Sequence, residues 1–288
     1  MDVYQIVTEK IISMLERGTV PWRKCWQAGS GMPRNLVSKK EYRGVNTLLL
    51  GCQAYGSPYW LTYRQATEHF NGHVRKGEKS SVCVFWKMLD NNSDNENNPA
   101  KSKIPMLRYY NVFNLEQCEG VTAPPAPEET VNTFTANERA EQILAGYGDC
   151  PEIIYGGNVA SYTPVSDRVR MPCQHTFDTS EAFFNVLYHE LSHSTGHKSR
   201  LARKEVIERN EFGSADYSSE ELCAELSASF LCAHAGISNE TLEQSASYIN
   251  GWLSVLKQDK RMITVAAARA QASADHILGR KFCEEESE

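Results

Sequence analysis

The pattern His189-Glu190-Leu191-Ser192-His193 constrains the fold of this chain more than any other part of the sequence. It follows the N-cap candidates Asp178-Thr179-Ser180, and Phe183 and Leu187 supply an apolar face at helical spacing. Residues four apart on a helix lie one above the other, so both imidazoles can bind one cation while Glu190 lies beside the metal's water. The spacing therefore predicts a helix that carries a zinc-metallopeptidase site, with Glu190 as the catalytic base.

A metal site of this type needs a third protein ligand. The pattern H-E-x-x-H-x-x-G-x-x-H is not completed, because Ser199 occupies the position of its last histidine. His197 is a weaker candidate, since on a continuing helix it is rotated by about 80° from His189 and better fits a place beside the ligands or facing the substrate. A capped helical segment from Ser218 to Leu226 places Glu221 and Glu225 on one face. We therefore expect one of these two carboxylates to complete the site.

This second helix resembles that of the gluzincin class of metallopeptidases, which supplies a ligand carboxylate and, one turn later, an acid that holds a ligand histidine. The resemblance implies that Glu221 binds the metal and that Glu225 orients His189, and the swapped assignment with Glu225 as ligand stays open. An ordinary amphipathic helix with two exposed acids is the alternative. With three ligands and an open position, the expected chemistry is metal-assisted hydrolysis of peptide bonds, with zinc or another divalent ion as cofactor.

Two further features are candidates for handling a peptide substrate. Tyr217 stands just before the second helix, where a phenol can donate a hydrogen bond to an oxyanion. A buried tyrosine without a catalytic role is the alternative for this residue. Val169 to Met171 forms a short strand pattern, and an exposed strand of this kind can pair with an extended peptide.

Positive charge is concentrated in the first third of the chain, although the net charge of the whole is -6. Residues 1–87 hold 13 lysines and arginines against 6 aspartates and glutamates. Aromatic rings alternate with these cations, and single-stranded nucleic acids are bound by rings that stack on bases beside cations that neutralise phosphates. The alternation includes Tyr63, Trp86 and Lys87, and the contact residues predicted from it are Trp22, Arg23, Lys24, Trp26, Arg34, Lys39, Lys40, Tyr42, Arg43, Tyr59, Trp60, Arg64, Arg75, Lys76 and Lys79. A solvated basic surface around core aromatics is the alternative.

Polar and proline-rich segments divide the chain into two predicted domains. An asparagine-rich run within residues 88–103 is typical of a flexible loop, and Ala-Pro-Pro-Ala-Pro within residues 121–131 is typical of an extended linker. Residues 1–120 then form a small α+β nucleic-acid-binding domain that begins with an amphipathic helix over 3–15. Residues 132–288 form a largely helical domain that carries the metal site. The predicted fold class is therefore α+β.

The compartment is predicted from the cysteines and from hydropathy. The nine cysteines are scattered without a C-x-x-C pair, which is typical of reduced thiols in the cytosol. No window approaches the roughly 18 apolar residues of a membrane span, and the start lacks the basic flank and the apolar run of a secretory signal. We therefore expect a cytoplasmic protein with no membrane partner.

Motifs in both halves resemble the ArdC-type antirestriction proteins. Those that resemble the family's N-terminal domain, itself similar to the N-terminal region of plasmid TraC-type DNA primases, are Pro21-Trp22, Pro33-Arg34-Asn35, Tyr42-Arg43-Gly44-Val45-Asn46, Ser57-Pro58-Tyr59-Trp60-Leu61-Thr62 and Val74-Arg75-Lys76-Gly77-Glu78-Lys79. Those that resemble its zincin-like metallopeptidase domain are residues 188–197, Phe212-Gly213-Ser214 and Glu220 to Glu225. The resemblance implies single-stranded DNA binding by the first domain and protection of incoming plasmid or phage DNA from host restriction. We see no primase catalytic region after the first domain, so priming is not expected.

Two other functions stay open on the sequence. One is a metallopeptidase whose N-terminal domain recognises a protein substrate, which predicts peptide hydrolysis without salt-dependent DNA binding. The other is a DNA-binding protein whose metal site is structural or inactive. Single-stranded DNA and a peptide or protein substrate are therefore the two predicted partners.

Overall fold

The structure is a computed structural model that describes residues 2–23, 31–90, 103–122, 135–208, 214–237 and 246–280. Several predicted features lie outside these ranges. They are the nucleic-acid contacts Lys24 and Trp26, the loop residues 91–102, the linker residues 123–131 and the first two residues of the motif Phe212-Gly213-Ser214.

Nine helices and nine strands are present in the described residues. The helices are α1 (Val3–Glu16), α2 (Val45–Gly51), α3 (Tyr63–Phe70), α4 (Ala136–Gly146), α5 (Ser180–Thr195), α6 (Lys204–Ile207), α7 (Ala215–Ala235), α8 (Ala246–Gln258) and α9 (Met262–Ile277). The strands are β1 (Arg34–Asn35), β2 (Tyr59–Leu61), β3 (His73–Val74), β4 (Ser81–Asp90), β5 (Lys103–Asn114), β6 (Cys118–Glu119), β7 (Glu152–Tyr155), β8 (Ser161–Thr163) and β9 (Arg168–Met171). The predicted α+β fold class is confirmed.

The first half is built around a long antiparallel hairpin. Strands β4 and β5 pair over ten residues, from Ser81 opposite Val112 to Asp90 opposite Lys103. Strand β2 pairs with the other edge of β5, and β1 adds in parallel to β2, so the sheet order is β1-β2-β5-β4. Helix α1 lies against this sheet and against α8, as its buried residues at helical spacing predict.

The second half places a small sheet beside three long helices. Its order is β7-β9-β8, with β9 parallel to β7 and antiparallel to β8. Helices α5, α7 and α9 pack against one another, and both β8 and β9 contact α5. Strand β8 is therefore an edge strand that lies next to the helix of the two motif histidines.

One hydrophobic core runs through both predicted domains. Its buried residues include Val7 and Ile11 of α1, Leu48 of α2, and Ile263 and Ala267 of α9. Because these residues come from both sides of the predicted linker, the two halves bury apolar surface against each other. The domain boundary at 121–131 stays a prediction, and the shared core means that a fragment of residues 1–120 would expose part of this surface.

Polar contacts join the same two halves. The N–H of Gly44, just before α2, donates to Gln271 Oε1 on α9 at 3.0 Å. Arg43 forms an ion pair with Asp275 on α9. A residue predicted to contact DNA phosphates is thus used to fix the first half to the second.

The cysteines differ from the expectation in one place. Cys52 is disulfide-bonded, so the prediction of reduced thiols is wrong at this position. The thiols among the described residues are Cys83, Cys118, Cys150, Cys173, Cys223 and Cys232. Within the described ranges, every helix is too short or too polar to cross a bilayer.

Candidate metal centre

Helix α5 presents the two motif histidines to a cleft while its opposite face is buried. Thr179 caps the helix by accepting a hydrogen bond from a backbone N–H of the first turn at 3.1 Å. Leu187 and Leu191 are fully buried in the core. His189 and His193 are only partly buried, and they lie on the side that faces α7.

The imidazoles of His189 and His193 meet the carboxylate of Glu221 from α7. Their Nε2 atoms are 3.1 Å apart, and Glu221 lies 3.5 Å from His189 Nε2 and 3.6 Å from His193 Nε2. One ligand atom from each residue lies within 4.8 Å of those of the other two. Two imidazole nitrogens and one carboxylate oxygen are the ligand set of many catalytic zinc sites. These residues therefore fit a divalent cation, and they are the three ligands that the motif and the resemblance to the gluzincin class imply.

Acidic side chains make the surroundings of His189 electronegative. Burial by itself lowers the pKa of His189, but a hydrogen bond to Glu221 and the charges of Glu225 and Glu190 raise it above its usual value. Burial raises the pKa of Glu221, but its hydrogen bond to His189 and the charge of His193 lower it below the usual value. Such a field stabilises positive charge, which is what a cation site requires.

The side chain that orients a ligand histidine is Glu220, which the sequence analysis did not select. His193 Nδ1 is 3.0 Å from Glu220 Oε1. A hydrogen bond from Nδ1 to this carboxylate leaves the Nε2 lone pair of His193 directed at the cation. Its position next to Glu221 on α7 was the only sequence signal for this role.

Arg203 holds Glu220 in place from the segment before α6. Its Nε and Nη2 atoms donate to the two carboxylate oxygens of Glu220 at 2.8 and 2.7 Å. Its remaining donors reach Thr195 Oγ1 at 2.6 Å and the Ser192 carbonyl at 2.7 Å. Arg203 and Glu220 have only 6% and 8% of their side chains exposed. No sequence pattern pointed to Arg203, because its partners are brought to it by the packing of α5 and α7.

Neither of the two alternative ligands, Glu225 and His197, belongs to the group of potential metal ligands in the described residues. Glu225 Oε1 is 3.5 Å from Arg23 Nη2, and the group of potential ligands found in the described residues contains Glu221 but not Glu225. The orientation of His189 by Glu225 stays a prediction. Helix α5 ends at Thr195, so His197 is not on a continuing helix, and its Nδ1 contacts Ser199 Oγ at 2.7 Å.

A cleft of about 400 Å³ opens above the metal cluster. Glu190 and the cluster residues line it from α5 and α7, and Ser161 and Tyr162 of β8 line the facing wall. Tyr217 also lines the cleft, and its pKa is raised by burial and by its contact with the Glu221 carboxylate. The predicted base and the predicted oxyanion donor therefore share one cavity with the predicted ligands.

The prediction that the strand from Val169 to Met171 pairs with a peptide is wrong. Val169 to Met171 belongs to β9, which is the middle strand and is hydrogen-bonded to β7 on one side and β8 on the other. A strand with both edges paired has no backbone groups left for a further strand. Strand β8 is the one at the sheet edge beside the cleft, and it can take the role that the sequence analysis gave to β9.

The position of β8 is fixed by an ion pair at the turn that follows it. Tyr162 donates its hydroxyl hydrogen to Asp167 Oδ1 at 2.9 Å. Arg200 binds both oxygens of Asp167 at 2.8 Å and also donates to the Ser194 carbonyl at 3.0 Å. Since Ser194 lies in the last turn of α5, this network connects the edge strand to the helix of the ligand histidines.

Three aromatic rings predicted to stack on bases are in the hydrophobic core. Trp22, Tyr42 and Trp60 are 1%, 8% and 2% exposed. Trp22 packs edge-on against Trp252 and donates its indole N–H to the Tyr248 hydroxyl at 3.1 Å. Rings inside the protein cannot reach a base, so the predicted nucleic-acid contacts of these three residues are wrong.

The predicted cations fall into three groups. Arg23 stacks over the Tyr248 ring at 4.0 Å and Arg43 pairs with Asp275, so both are directed toward the second half. Arg34, Arg64 and Arg75 contact Glu41, Glu68 and Glu78 at 3.3, 2.7 and 2.8 Å. Lys39 lies 5.5 Å from the centre of the Tyr59 ring. Lys39, Lys40, Lys76 and Lys79 are exposed, and contacts of these residues with nucleic acid stay a prediction.

Exposed rings of the first half lie on the β4–β5 hairpin and at Tyr63 of α3, which is 57% exposed. Trp86 and Tyr109 are 44% and 49% exposed, and Phe85 is also exposed. Lys87 and Arg108 are exposed beside them. Trp86 and Lys87 were in the aromatic and basic alternation, but without the strand pairing nothing distinguished them from the rings that became buried.

Family models match both halves of the chain. The model for the N-terminal domain of the anti-restriction factor ArdC matches residues 1–113. The model described as a zincin-like metallopeptidase matches residues 138–269. Between them they cover β4, all of β5 except its last residue, and every residue of the candidate metal centre.

Relatives of the chain include proteins of similar length and longer ones. An uncharacterised protein, y4eC, of Sinorhizobium fredii (strain NBRC 101917 / NGR234) is 38% identical over 95% of this chain and 91% of its own length. The DNA primase TraC of Escherichia coli is 34% identical over 96% of this chain, which spans only 27% of TraC.

Solved structures resemble the chain over nearly its whole length. The Mn(II)-bound crystal structure of the antirestriction protein ArdC from plasmid R388 superposes with a TM-score of 0.76 at 35% identity, covering 97% of this chain and 98% of that one. The metal-free crystal structure of the same protein gives a TM-score of 0.75 at 35% identity, over 96% and 97% of the two chains.

Proposed function

The chain belongs to the ArdC family of antirestriction proteins, and we propose that it binds single-stranded DNA, protects incoming DNA from host restriction and hydrolyses peptide bonds with a divalent metal. The observation that carries the hydrolytic part is the cluster of His189, His193 and Glu221 at the floor of a cleft that also contains Glu190. An edge strand on the wall of that cleft supports a peptide as the substrate.

The chain's own residues supply the steps around the metal. His189, His193 and Glu221 would hold a divalent cation, which would supply Lewis-acid activation of a water molecule. Glu190 would accept a proton from the attacking water and pass it to the leaving amine. Tyr217 donates a hydrogen bond to the oxyanion that develops on the peptide carbonyl. Both side chains line the cleft, which is the requirement for acting on one substrate.

The substrate is held as an added strand. An extended peptide that pairs with β8 continues the sheet β7-β9-β8 and passes along the wall of the cleft. The contacts of Arg200 with Asp167 and with the last turn of α5 keep this strand at a fixed distance from the histidines. A fixed distance matters because the scissile carbonyl has to be positioned before reaction.

Removal and return of the metal tests the ligand set. Zn²⁺ or Mn²⁺ at a hundred times its dissociation constant is expected to stabilise the metal-stripped full-length protein by about 2.7 kcal/mol, which raises the Tm by about 5 to 10 °C. His189→Ala is expected to abolish this rise, whereas His175→Ala, an exposed histidine outside the cluster, retains it. Differential scanning calorimetry measures both, and an equal rise in the two variants would contradict the ligand assignment.

We propose that the exposed rings of the β4–β5 hairpin, Trp86 and Tyr109, stack on DNA bases. Each stacked base contributes about 1 to 3 kcal/mol, so Trp86→Ala and Tyr109→Ala are each expected to weaken binding of labelled single-stranded DNA by about 5- to 150-fold. Fluorescence anisotropy measures this, and transfer of an unmodified plasmid into restricting cells measures the matching loss of protection. Tyr155→Ala removes an exposed ring of the second half and is the control. Unchanged binding in both hairpin variants would rule out this surface.

A further inference from the structure

A cavity of about 150 Å³ lies in the first half between α1, α2 and the start of β4. It is distinct from the metal cleft and shares no lining residue with it. Its chemistry differs from that of the metal cleft, because its charged lining residues are Lys10 and Arg17 and no carboxylate lines it. An anionic group is therefore favoured at this cavity.

The two cations lie on one face of α1. Lys10 and Arg17 are seven residues apart, which is close to two helical turns, so both side chains project on the same side. Arg17 uses its Nε to donate to the Ser13 carbonyl at 3.1 Å, and this bond leaves the outer nitrogens of the guanidinium directed away from the helix. The arrangement suits successive phosphates of one strand.

The floor of the cavity is apolar. Met14 and Leu49 are almost completely buried beneath it, and Val82 of β4 forms its side. A volume of roughly 150 Å³ is enough for a single six-membered ring such as benzene. Its volume thus matches one pyrimidine ring, and the Ser81 hydroxyl and the Gln53 amide are polar lining groups that a base can meet at its edge.

The cavity and the exposed Trp86 lie along the same face of β4. Val82 and Trp86 are four residues apart, and side chains at even separations on a strand point to one side. Their separation along the strand is about 14 Å. Helix α1 borders both places, since its Tyr4 ring lies 6.3 Å from the Trp86 ring and its Met14 lines the cavity.

From these observations we propose that this cavity binds one pyrimidine nucleotide of a single strand that also places a base further along the strand on the Trp86 ring. The base enters over Met14 and Leu49, and the phosphates on either side of it contact Lys10 and Arg17. The proposal rests on the proposed DNA-binding function and adds to it a defined nucleotide site and a direction of the strand along α1 and β4.

Photo-crosslinking with the full-length protein tests whether the base occupies this cavity. A short oligo(dT) with one 5-iododeoxyuridine is bound and irradiated, and the modified peptides are identified by mass spectrometry. Because iodouracil crosslinks to aromatic and sulfur-containing side chains, we expect an adduct on Met14. Adducts confined to the hairpin rings Trp86 and Tyr109 would overturn the cavity as a site while leaving DNA binding intact.

The salt dependence of binding tests the phosphate contacts. Each phosphate contact on a single strand contributes about 0.7 to the slope of log K against log salt concentration, so Lys10→Gln with Arg17→Gln is expected to make the slope shallower by about 1.4. Lys198→Gln with Lys204→Gln removes two exposed cations of the second half and should leave the slope unchanged. An unchanged slope in the first pair would overturn the proposal, and absence of binding by the parent protein would overturn the DNA-binding function as well.

Discussion

Glu190→Gln is expected to lower the rate of peptide hydrolysis by about 10²- to 10⁴-fold, which is the range that a general base contributes. Glutamine keeps the shape of the side chain in the cleft but cannot accept the proton of the attacking water. The ligands His189, His193 and Glu221 are untouched, so the rise in Tm on addition of metal should be preserved. The loss is therefore expected in hydrolysis alone.

Cleavage of a mixture of quenched fluorescent peptides by the metal-loaded protein measures this effect. Glu181→Gln is a matched control, because it changes an acid in the first turn of the same helix, away from the cluster. Hydrolysis by Glu190→Gln at the rate of the parent would show that another residue is the base. If cells with this variant still protect incoming DNA, proteolysis is not the route of protection, and the metal site and the DNA-binding half have separable roles.

Arg203→Met is expected to destabilise the protein by about 3 to 5 kcal/mol, because it leaves the buried carboxylate of Glu220 without its cation. The same change removes the donors to Thr195 Oγ1 and to the Ser192 carbonyl. For a chain of this size the Tm should fall by about 10 °C. Urea unfolding and calorimetry measure these losses, and Arg168→Met, which breaks an exposed pair with Glu152, should cost less than about 1 kcal/mol.

A second substitution separates the cost of the buried charge from the effect on the metal. Arg203→Met combined with Glu220→Gln no longer contains the uncompensated carboxylate, so the double variant should be more stable than Arg203→Met alone. Its metal affinity should still be about 10- to 100-fold weaker than that of the parent, since His193 has lost the carboxylate that orients it. Parental stability in Arg203→Met, or parental metal affinity in the double variant, would contradict the role given to this network.

The local parts of the metal centre could be predicted from the sequence. His189 and His193 are four residues apart on a capped helix, and the geometry of a helix alone brings their imidazoles to one side. The pattern of the following helix left Glu221 and Glu225 open, and the resemblance to the gluzincin class favoured Glu221, which lies within 3.6 Å of both histidines. Fold class and family were likewise accessible, because they depend on periodicity and on motifs that are contiguous in the chain.

Which aromatic rings are buried was decided by the tertiary structure. Tryptophan and tyrosine serve equally as core residues and as surface platforms, and only the packing of α8 and the pairing of the strands determine which role each has. Trp22 is covered by Tyr248 and Trp252, which are more than two hundred residues away in the chain. The exposed Trp86 carries the same side chain in the same basic region, so composition could not separate the two.

Long-range pairing also decided the parts of the site that the sequence missed or misplaced. Strand order made β8 the edge and β9 the centre, because order depends on hydrogen bonds between segments and not on the residues of one segment. Arg203 reaches Glu220 only because α5 and α7 pack together and enclose both charges. The sequence by itself determined the residues that face one metal ion within a helix, and the tertiary structure decided what surrounds them, since burial and partner choice arise only when distant segments meet.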